Sequence, residues 1–249
     1  MALVVDTSVA AVVSATNVAT TASFSAVANS LIVAMVTGDS VVNTPPTITM
    51  SDTASLSWTL AKRQNTGGTN VGGTAEFWYA KSAAGFTSKT VTATNSAPTG
   101  GSQATELRVV MFTGHDLTTP IGATAGATFN TLTTTHTTSI TTTRANSWCW
   151  GKNLNYTRTA TCTANGSSVI LAQGNDGDGD QYVTLAHSSV TTQPTVSSGT
   201  LLTLGGTYAA TASGQIALVE IMPAVGGAAV VPVQLPPRLT VPVMRASLF

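Results

Sequence analysis

Short apolar and threonine-rich runs, each closed by turn residues, recur along this chain and constrain its fold more than any other feature. The clearest run places Leu56, Trp58 and Leu60 at alternate positions, a period of two that is typical of a half-buried strand. Other runs are continuously apolar, such as LIVAMV at residues 31–36. Turn signals fall between the runs about every 8–14 residues, without a helical pattern. The sequence therefore predicts an all-β fold, an antiparallel β-sandwich or jelly roll with roughly 11–13 strands.

The low charge of the chain limits its partners. Only 8% of the residues are charged and the formal net charge is zero. Nucleic acids and anionic membranes select basic surfaces, so we expect neither as a partner. A free monomer usually carries several times more surface charge, so the composition favours a subunit covered by its neighbours. The apolar N-terminus resembles a signal sequence only superficially, because it lacks a positive start and Asp6 interrupts it.

We expect three parts along the chain. Residues 1–20 form an N-terminal strand or arm, residues 21–223 a β-sandwich domain, and residues 224–249 an extended, proline-rich C-terminal arm. Two small sandwiches are the alternative to one large domain. The two most apolar strands, LIVAMV and IALVEI at residues 216–221, are expected to lie side by side at the centre of the domain.

Alternating carboxylates on a glycine-rich loop form the only metal-like motif. Asp176, Asp178 and Asp180 supply hard oxygen atoms of the kind that Ca²⁺ prefers. The EF-hand pattern requires a glutamate at its twelfth position, where this chain has His187. Because Asp-Gly pairs are ordinary hairpin turns, we predict a turn, keep the three aspartates as weak metal candidates, and expect no cofactor.

No catalytic constellation emerges from the sequence. The three histidines, His115, His136 and His187, are not accompanied by a G-x-S-x-G motif, so we predict that the protein is not an enzyme and has no catalytic residues. Glu220 is the acidic member of an apolar strand, and we expect it to form a buried ion pair with Arg108 or Lys62; a position facing solvent is the alternative.

Trp148 and Trp150 stand at alternate positions and offer a surface on which a sugar could stack. A domain of this size needs its aromatic residues in the core, which is the interpretation we favour. We likewise expect Cys149 and Cys162 to be small buried hydrophobic residues, with a cross-strand pairing as the alternative.

The C-terminal arm combines two properties that rarely occur together. Its prolines exclude a helix or a central strand, yet it is too apolar for a solvated linker. We expect an extended segment that binds an edge or groove of a neighbouring subunit by strand addition; packing along its own domain is the alternative. The candidate contact residues are Val230, Val231, Val233, Leu235, Leu239, Val241, Val243, Met244, Leu248 and Phe249.

The order of these segments resembles that of a known class of proteins. SLIVAMVTGD, LSWTLAKR, AEFWYAKSAAGFTSKTVTAT, LRVVMFTG, NSWCWG, GDGDQYVTL and IALVEIMP are similar in order and character to β-sandwich structural proteins of tailed bacteriophages, of the capsid decoration or minor tail type. The resemblance covers roughly residues 20–223. It implies a non-enzymatic virion protein that docks on a capsid or tail lattice.

The partners implied by the resemblance are major capsid or tail proteins and further copies of the chain, with the C-terminal arm lacing subunits together. The implied location is the virion. The alternative is a host-surface adhesin that binds a host glycan near Trp148, Trp150 and the loop at residues 176–180.

Overall fold

The computed structural model describes residues 2–40, 44–68, 71–97, 104–156, 161–176, 179–192 and 194–225. These residues form antiparallel strands and no α-helix, so the predicted all-β sandwich is confirmed. None of the described segments is a helix long and apolar enough to span a bilayer. The strands are β1 (Val4–Asp6), β2 (Val12–Ser14), β3 (Val18–Thr20), β4 (Phe24–Ala26), β5 (Ser30–Ser40), β6 (Ile48–Asp52), β7 (Thr59–Gly68), β8 (Val71–Ser82), β9 (Phe86–Lys89), β10 (Val91–Asn95), β11 (Thr105–Thr113), β12 (Ile121–Thr141), β13 (Trp148–Asn155), β14 (Cys162–Gly166), β15 (Val169–Asn175), β16 (Gln181–Ala186) and β17 (Leu201–Ile221).

Two large sheets form the body of the domain. Sheet I has the strand order β1-β11-β5-β8-β7, with β2 also paired to β11, and sheet II has the order β12-β17-β13-β16-β15, with β14 also paired to β17. A small outer sheet, β3-β10-β6, and the pair β4-β9 complete the structure. The strand count exceeds the prediction because three-residue strands such as β1 to β4 are too short to show a period.

Aromatic residues fill the space between the two large sheets. Phe112 of β11 lies edge-on against Trp150 of β13, with ring centroids 5.5 Å apart, and against Trp148 at 6.2 Å. Both indoles are buried among aliphatic residues of both sheets. The core interpretation of Trp148 and Trp150 is therefore confirmed.

The two most apolar strands do not lie side by side, so that prediction was wrong. β5 is central in sheet I, where β11 and β8 flank it, and β17 is central in sheet II. Their side chains Val33, Met35, Val219 and Ile221 meet across the core between the sheets. Continuous apolarity indicates burial on both faces of a strand. It does not specify which strand is the hydrogen-bonded neighbour.

Both outer faces of the large sheets are also covered. Ile32, Ala34 and Val36 on the far side of β5 pack beneath the small outer sheet. On the far side of sheet II, Ile216 and Leu218 of β17 form a third core. This third core explains why Cys149 and Cys162 are buried free thiols, as predicted.

The third core exists because β12 and β17 form one long ribbon that bends. Ile121 pairs with Ile221 at one end and Thr141 with Leu201 at the other, and the register shifts between Phe129 and Thr135. His136 lies at this bend, stacked on Phe129 with centroids 4.3 Å apart. Its Nε2 lies 3.1 Å from the carbonyl of Ala212. Burial lowers the pKa of His136, which favours the neutral ring at this position.

A buried ion pair joins the two large sheets at their polar end. Lys152 of β13 contacts Glu106 of β11, and both side chains are completely buried. The Lys152 Nζ also lies 3.1 Å from the Thr184 hydroxyl and 4.9 Å from the centroid of the Tyr182 ring. Burial raises the pKa of Glu106 and lowers that of Lys152, while each group partly offsets the shift of the other.

Removing one member of this pair should cost far more than removing both. Lys152→Met leaves an uncompensated carboxylate in the core, for which we expect a loss of about 3–5 kcal/mol in the free energy of unfolding. The double variant Lys152→Met/Glu106→Leu should recover most of that loss. Urea denaturation at neutral pH measures both values. A single variant that lost less than about 1 kcal/mol would contradict a compensated buried pair.

Candidate functional site

Residues 222–224 follow β17 near the end of the described chain, and we call them the arm root because the predicted C-terminal arm begins at residue 224. After β17, the Met222 amide donates to the Pro120 carbonyl at 2.8 Å, and the Met222 carbonyl accepts from Asp116 at 2.9 Å. The Ala224 amide then donates to the carbonyl of Gly114 at 2.8 Å. Residues 222–224 are thus fixed along the connection between β11 and β12.

Arg144 clamps this root. Its Nη1 donates to Asp116 Oδ2 at 2.5 Å and to the carbonyl of Pro223 at 2.8 Å. Asp116 also accepts hydrogen bonds from the amides of Thr118 and Thr119. The Thr119 hydrogen bond, together with Arg144, lowers the pKa of Asp116 to about 2. The aspartate is therefore ionised at neutral pH and holds the guanidinium against the departing chain.

Glu220 binds the segment at residues 143–144 from the interior of the domain. The predicted ion pair of Glu220 with Arg108 or Lys62 was wrong. Among the described residues the buried Glu220 carboxylate is bound by backbone and hydroxyl donors: the amides of Ala123, Thr143 and Arg144 and the Thr143 hydroxyl, at 2.7–3.1 Å. Gly122 makes this possible, because a Cβ atom there would collide with the carboxylate. Neutral donors satisfy the charge, which a sequence pattern does not reveal.

A groove of about 610 Å³ opens beside the root. Its lining is mostly uncharged and includes Leu3, Asn146, Pro194, Pro223 and Val225, with Arg144 as its charged member. Residues 144–146 lead into β13, and residues 194–195 follow β16. The groove therefore adjoins residues 222–224, whose backbone hydrogen bonds run to residues 114–120, the segment that precedes β12.

β12 forms one margin of sheet II. β12 pairs with β17 and, within the described chain, with no other strand. It is 21 residues long and contains neither a charged residue nor a proline. β7 lies over one face of β12, where Gln64 donates to the Thr128 hydroxyl at 2.7 Å. That contact covers the face and leaves the hydrogen-bonding edge without a strand.

The other margins of the large sheets are protected in ways that proteins commonly use. β1 and β2 are three residues each, and β7 carries Lys62 and Arg63. β15 is apolar but faces β14, where the Cys162 amide donates to the Gln173 side chain at 2.7 Å. β12 is therefore the longest unprotected edge in the described structure.

The predicted sites have different outcomes. The C-terminal contact residues, Val230 to Phe249, and Asp178 lie outside the described residues. Asp176 and Asp180 lie in the turn between β15 and β16, where Asp176 Oδ1 accepts from the Asp180 amide at 2.8 Å and the Gly179 amide at 3.1 Å. The predicted hairpin turn is thus observed. Within the described residues no group of three potential ligands from His, Cys, Asp and Glu converges.

The three histidines occupy separate positions in the fold. His136 is stacked in the ribbon bend, and His187 Nδ1 accepts from the Cys149 amide at 2.9 Å. His115 is buried beside the arm root, where its backbone forms an isolated antiparallel β-bridge with Pro223. Burial lowers the pKa of each of the three.

The predicted arm at residues 224–249 lies almost entirely outside the described residues, and sequence reasoning missed the groove beside residues 222–225 and the edge position of β12. The open edge of β12 could have been suspected from its uncharged, proline-free sequence, but edge position depends on pairing that one sequence does not show. No protein-family model matches the chain, and neither the curated proteins nor the solved structures include a significant match.

Breaking the Arg144 clamp should loosen the arm root specifically. Arg144→Gln removes charge-assisted hydrogen bonds worth about 1.5–3 kcal/mol, so hydrogen exchange at the Met222 and Ala224 amides should accelerate about tenfold or more. Arg63→Gln is the matched control, since Arg63 is similarly exposed and pairs with a buried acid, Glu76, at 2.7 Å. Equal acceleration in the two variants would contradict a local clamp.

Glu220 should make folding sensitive to acid. Burial alone raises the pKa of Glu220, but the hydrogen bonds that the carboxylate accepts, among them those from Ala123 and Thr143, outweigh it and lower the pKa. A lowered folded pKa contributes stability that is present above the unfolded value, near 4.3, and is lost as the pH falls through the folded pKa. Glu220→Gln should cost about 1–3 kcal/mol at pH 7 and much less at about pH 3.

Urea denaturation at the two pH values measures this difference. Asp52→Asn is a suitable control, because Asp52 also accepts backbone amides, from Ala54 and Leu56, but lies in the outer sheet. A pH-independent cost for Glu220→Gln would contradict the assignment.

Proposed function

We propose that this protein is a non-enzymatic structural protein of a bacteriophage virion, of the capsid decoration or minor tail type. In this proposal the sandwich docks on a capsid or tail lattice, and the C-terminal arm contacts neighbouring subunits. The observation that carries the proposal is that one chain of low charge and zero net charge has both a strand edge without a described partner, that of β12, and an apolar, proline-rich C-terminal segment.

The composition supports an assembled role. A subunit with 8% charged residues and no net charge has a surface suited to contacts with neighbours and poorly suited to repulsion between free monomers. Exposed apolar side chains add to this, with Val4 and Val27 lining a cleft at the β1 margin and Leu132 exposed on β12. Such positions are stabilised when a neighbour covers them.

The rigid root supports a role for the arm that is separate from folding. Arg144, Asp116 and Glu220 fix the chain up to Ala224 through the contacts described above. Among the described residues, the three cores are built from positions 3–221, all of which precede the predicted arm at residues 224–249.

The adhesin alternative receives no comparable support. Its proposed platform, Trp148 and Trp150, is buried between the sheets, with exposures of 0% and 1%. A glycan could not stack on either indole without opening the central core.

Truncation after Pro223 tests the proposal. The shortened chain should retain its cores, giving a cooperative melt within about 5 °C of the full chain, but should fail to enter particles. Incorporation is measured by expressing full-length or truncated chain during infection of a host by the phage that encodes it and analysing purified virions. Normal incorporation of the truncated chain would refute the proposed role of the arm, and absence of the full chain from virions would refute the virion assignment.

A further inference from the structure

Asn165 and Gly166 form the one Asn-Gly pair in the sequence, and they stand at the end of β14. Gly166 has a φ of 62° and lies at the first central position of a four-residue turn, in which the Ser168 amide donates to the Asn165 carbonyl at 3.2 Å. Glycine is favoured at this position because it adopts a positive φ without strain. Both residues of the pair are exposed, so solvent reaches them.

The side chain of Asn165 is folded onto the backbone nitrogen of the next residue. Its Oδ1 accepts from the Gly166 amide at 2.7 Å, and its Nδ2 donates to the Thr207 hydroxyl at 3.3 Å. Because a C=O bond is about 1.23 Å long, the first contact places Cγ of Asn165 roughly 3–3.5 Å from the Gly166 nitrogen, which is the range of a near-attack conformation. An amide carbon is thus held beside a main-chain nitrogen that can react with it.

Gly166 leaves this approach unobstructed. A Cβ atom at this position would lie 2.5 Å from the Thr203 carbonyl oxygen, and a larger residue would also be strained at this φ. Glycine therefore satisfies the turn and contributes no side chain that would shield its nitrogen from Cγ of Asn165 or from water.

We propose that Asn165 is a site of self-modification, at which the Gly166 nitrogen converts the carboxamide into a carboxylate without an enzyme. The nitrogen loses its proton to solvent and forms a bond to Cγ of Asn165. The bond from Cγ to Nδ2 then breaks, and Nδ2 takes up a proton and leaves as ammonia. The product is a five-membered cyclic imide. Water cleaves either of its two ring C–N bonds, which gives aspartate or isoaspartate at position 165, so the reaction consumes one water and releases one ammonia.

The new carboxylate would appear on a part of the domain that has no charge. β12 and β14 contain no Lys, Arg, Asp or Glu, and β17 contains only Glu220, at the end remote from Asn165. The chain has 10 basic and 10 acidic residues, so one added acid changes its formal net charge from zero to −1. The modification therefore alters the surface of sheet II in a way that an ion-exchange column detects.

Isoaspartate would also change the backbone of β14. Asn165 pairs with Gly205, and Gly166 pairs with Leu204. Isoaspartate carries the main chain through its Cβ and Cγ atoms, which adds one atom to the strand and moves the following residues out of this register. The pairing of Gly166 should weaken as a result, while Cys162 to Ala164, which precede the modified residue, keep their partners.

Timed incubation of the purified full-length chain, followed by peptide mass spectrometry, tests the site. The peptide that contains Asn165 should gain about 1 Da and divide into aspartate and isoaspartate forms. Its rate should rise with pH, because the attacking nitrogen must lose its proton. Asn146 is an internal control, since it is also exposed but precedes a serine. Asn165 should react at least about tenfold faster than Asn146, and equal rates would overturn the assignment.

Folding should favour the reaction if the near-attack geometry is correct. The chain unfolded in guanidinium chloride keeps the Asn-Gly sequence but loses the fixed contact between Asn165 Oδ1 and the Gly166 nitrogen. Asn165 should therefore react at least as fast in the folded chain as in the unfolded chain. A slower reaction in the folded chain would show that the turn protects Asn165 and would overturn the inference.

Two variants locate the reaction. Asn165→Gln lengthens the side chain, so that attack would have to close a six-membered ring, and should abolish the mass gain. Ser167→Ala changes an exposed neighbour without altering the Asn-Gly pair and should leave the rate unchanged. Circular dichroism checks that both variants fold. A mass gain that persists in Asn165→Gln would overturn the site.

This inference is independent of the proposed function. An unreactive Asn165 leaves the virion assignment intact, because that assignment is tested by incorporation of the full and truncated chains. Normal incorporation of the truncated chain likewise has no bearing on the chemistry at Asn165.

Discussion

The packing of Phe112 against Trp148 and Trp150 is the interaction on which the rest of this structure depends. These three rings join β11 of sheet I to β13 of sheet II and set the spacing between the sheets. Around them, β5 and β17 become central strands that are covered on both faces. The small outer sheet and the bent β12–β17 ribbon then supply the second and third cores. The strands nearest the centre are consequently continuous apolar runs, and alternation is confined to the margins.

Polar groups inside this framework are satisfied locally. Lys152 and Glu106 compensate each other between the sheets, while Glu220 is bound by backbone amides and a hydroxyl. The two arrangements act differently on stability. The ion pair depends on the presence of both partners, whereas the Glu220 site depends on the position of the segment that leads into β13. That segment also carries Arg144, so the interior of sheet II and the arm root are mechanically connected.

The sequence was informative where local pattern decides the structure. Alternation and turn residues predicted the all-β sandwich, the hairpin turn at Asp176 and the burial of Trp148, Trp150 and both cysteines. The sequence did not predict which strands are hydrogen-bonded neighbours, because an apolar run indicates burial and not the identity of the neighbouring strand. LIVAMV and IALVEI, which we expected side by side, lie in different sheets. Glu220 shows a related limit, since the amides that bind it belong to residues 97 and 77 positions away in the chain. The C-terminal contact residues, Val230 to Phe249, could be proposed only from sequence.

An apolar C-terminal segment and an uncharged strand, β12, whose outer edge has no partner among the described strands, define the central proposal, which is that copies of this chain contact each other through these two features. Cross-linking between isotopically distinct chains tests it most directly. A photoreactive residue at position 124, in a mixture of unlabelled and ¹⁵N-labelled full-length protein, should capture peptides from residues 231–243, and these should include pairs that combine the two isotopes. Capture of that segment only from the same chain, or no capture of it, would contradict the account.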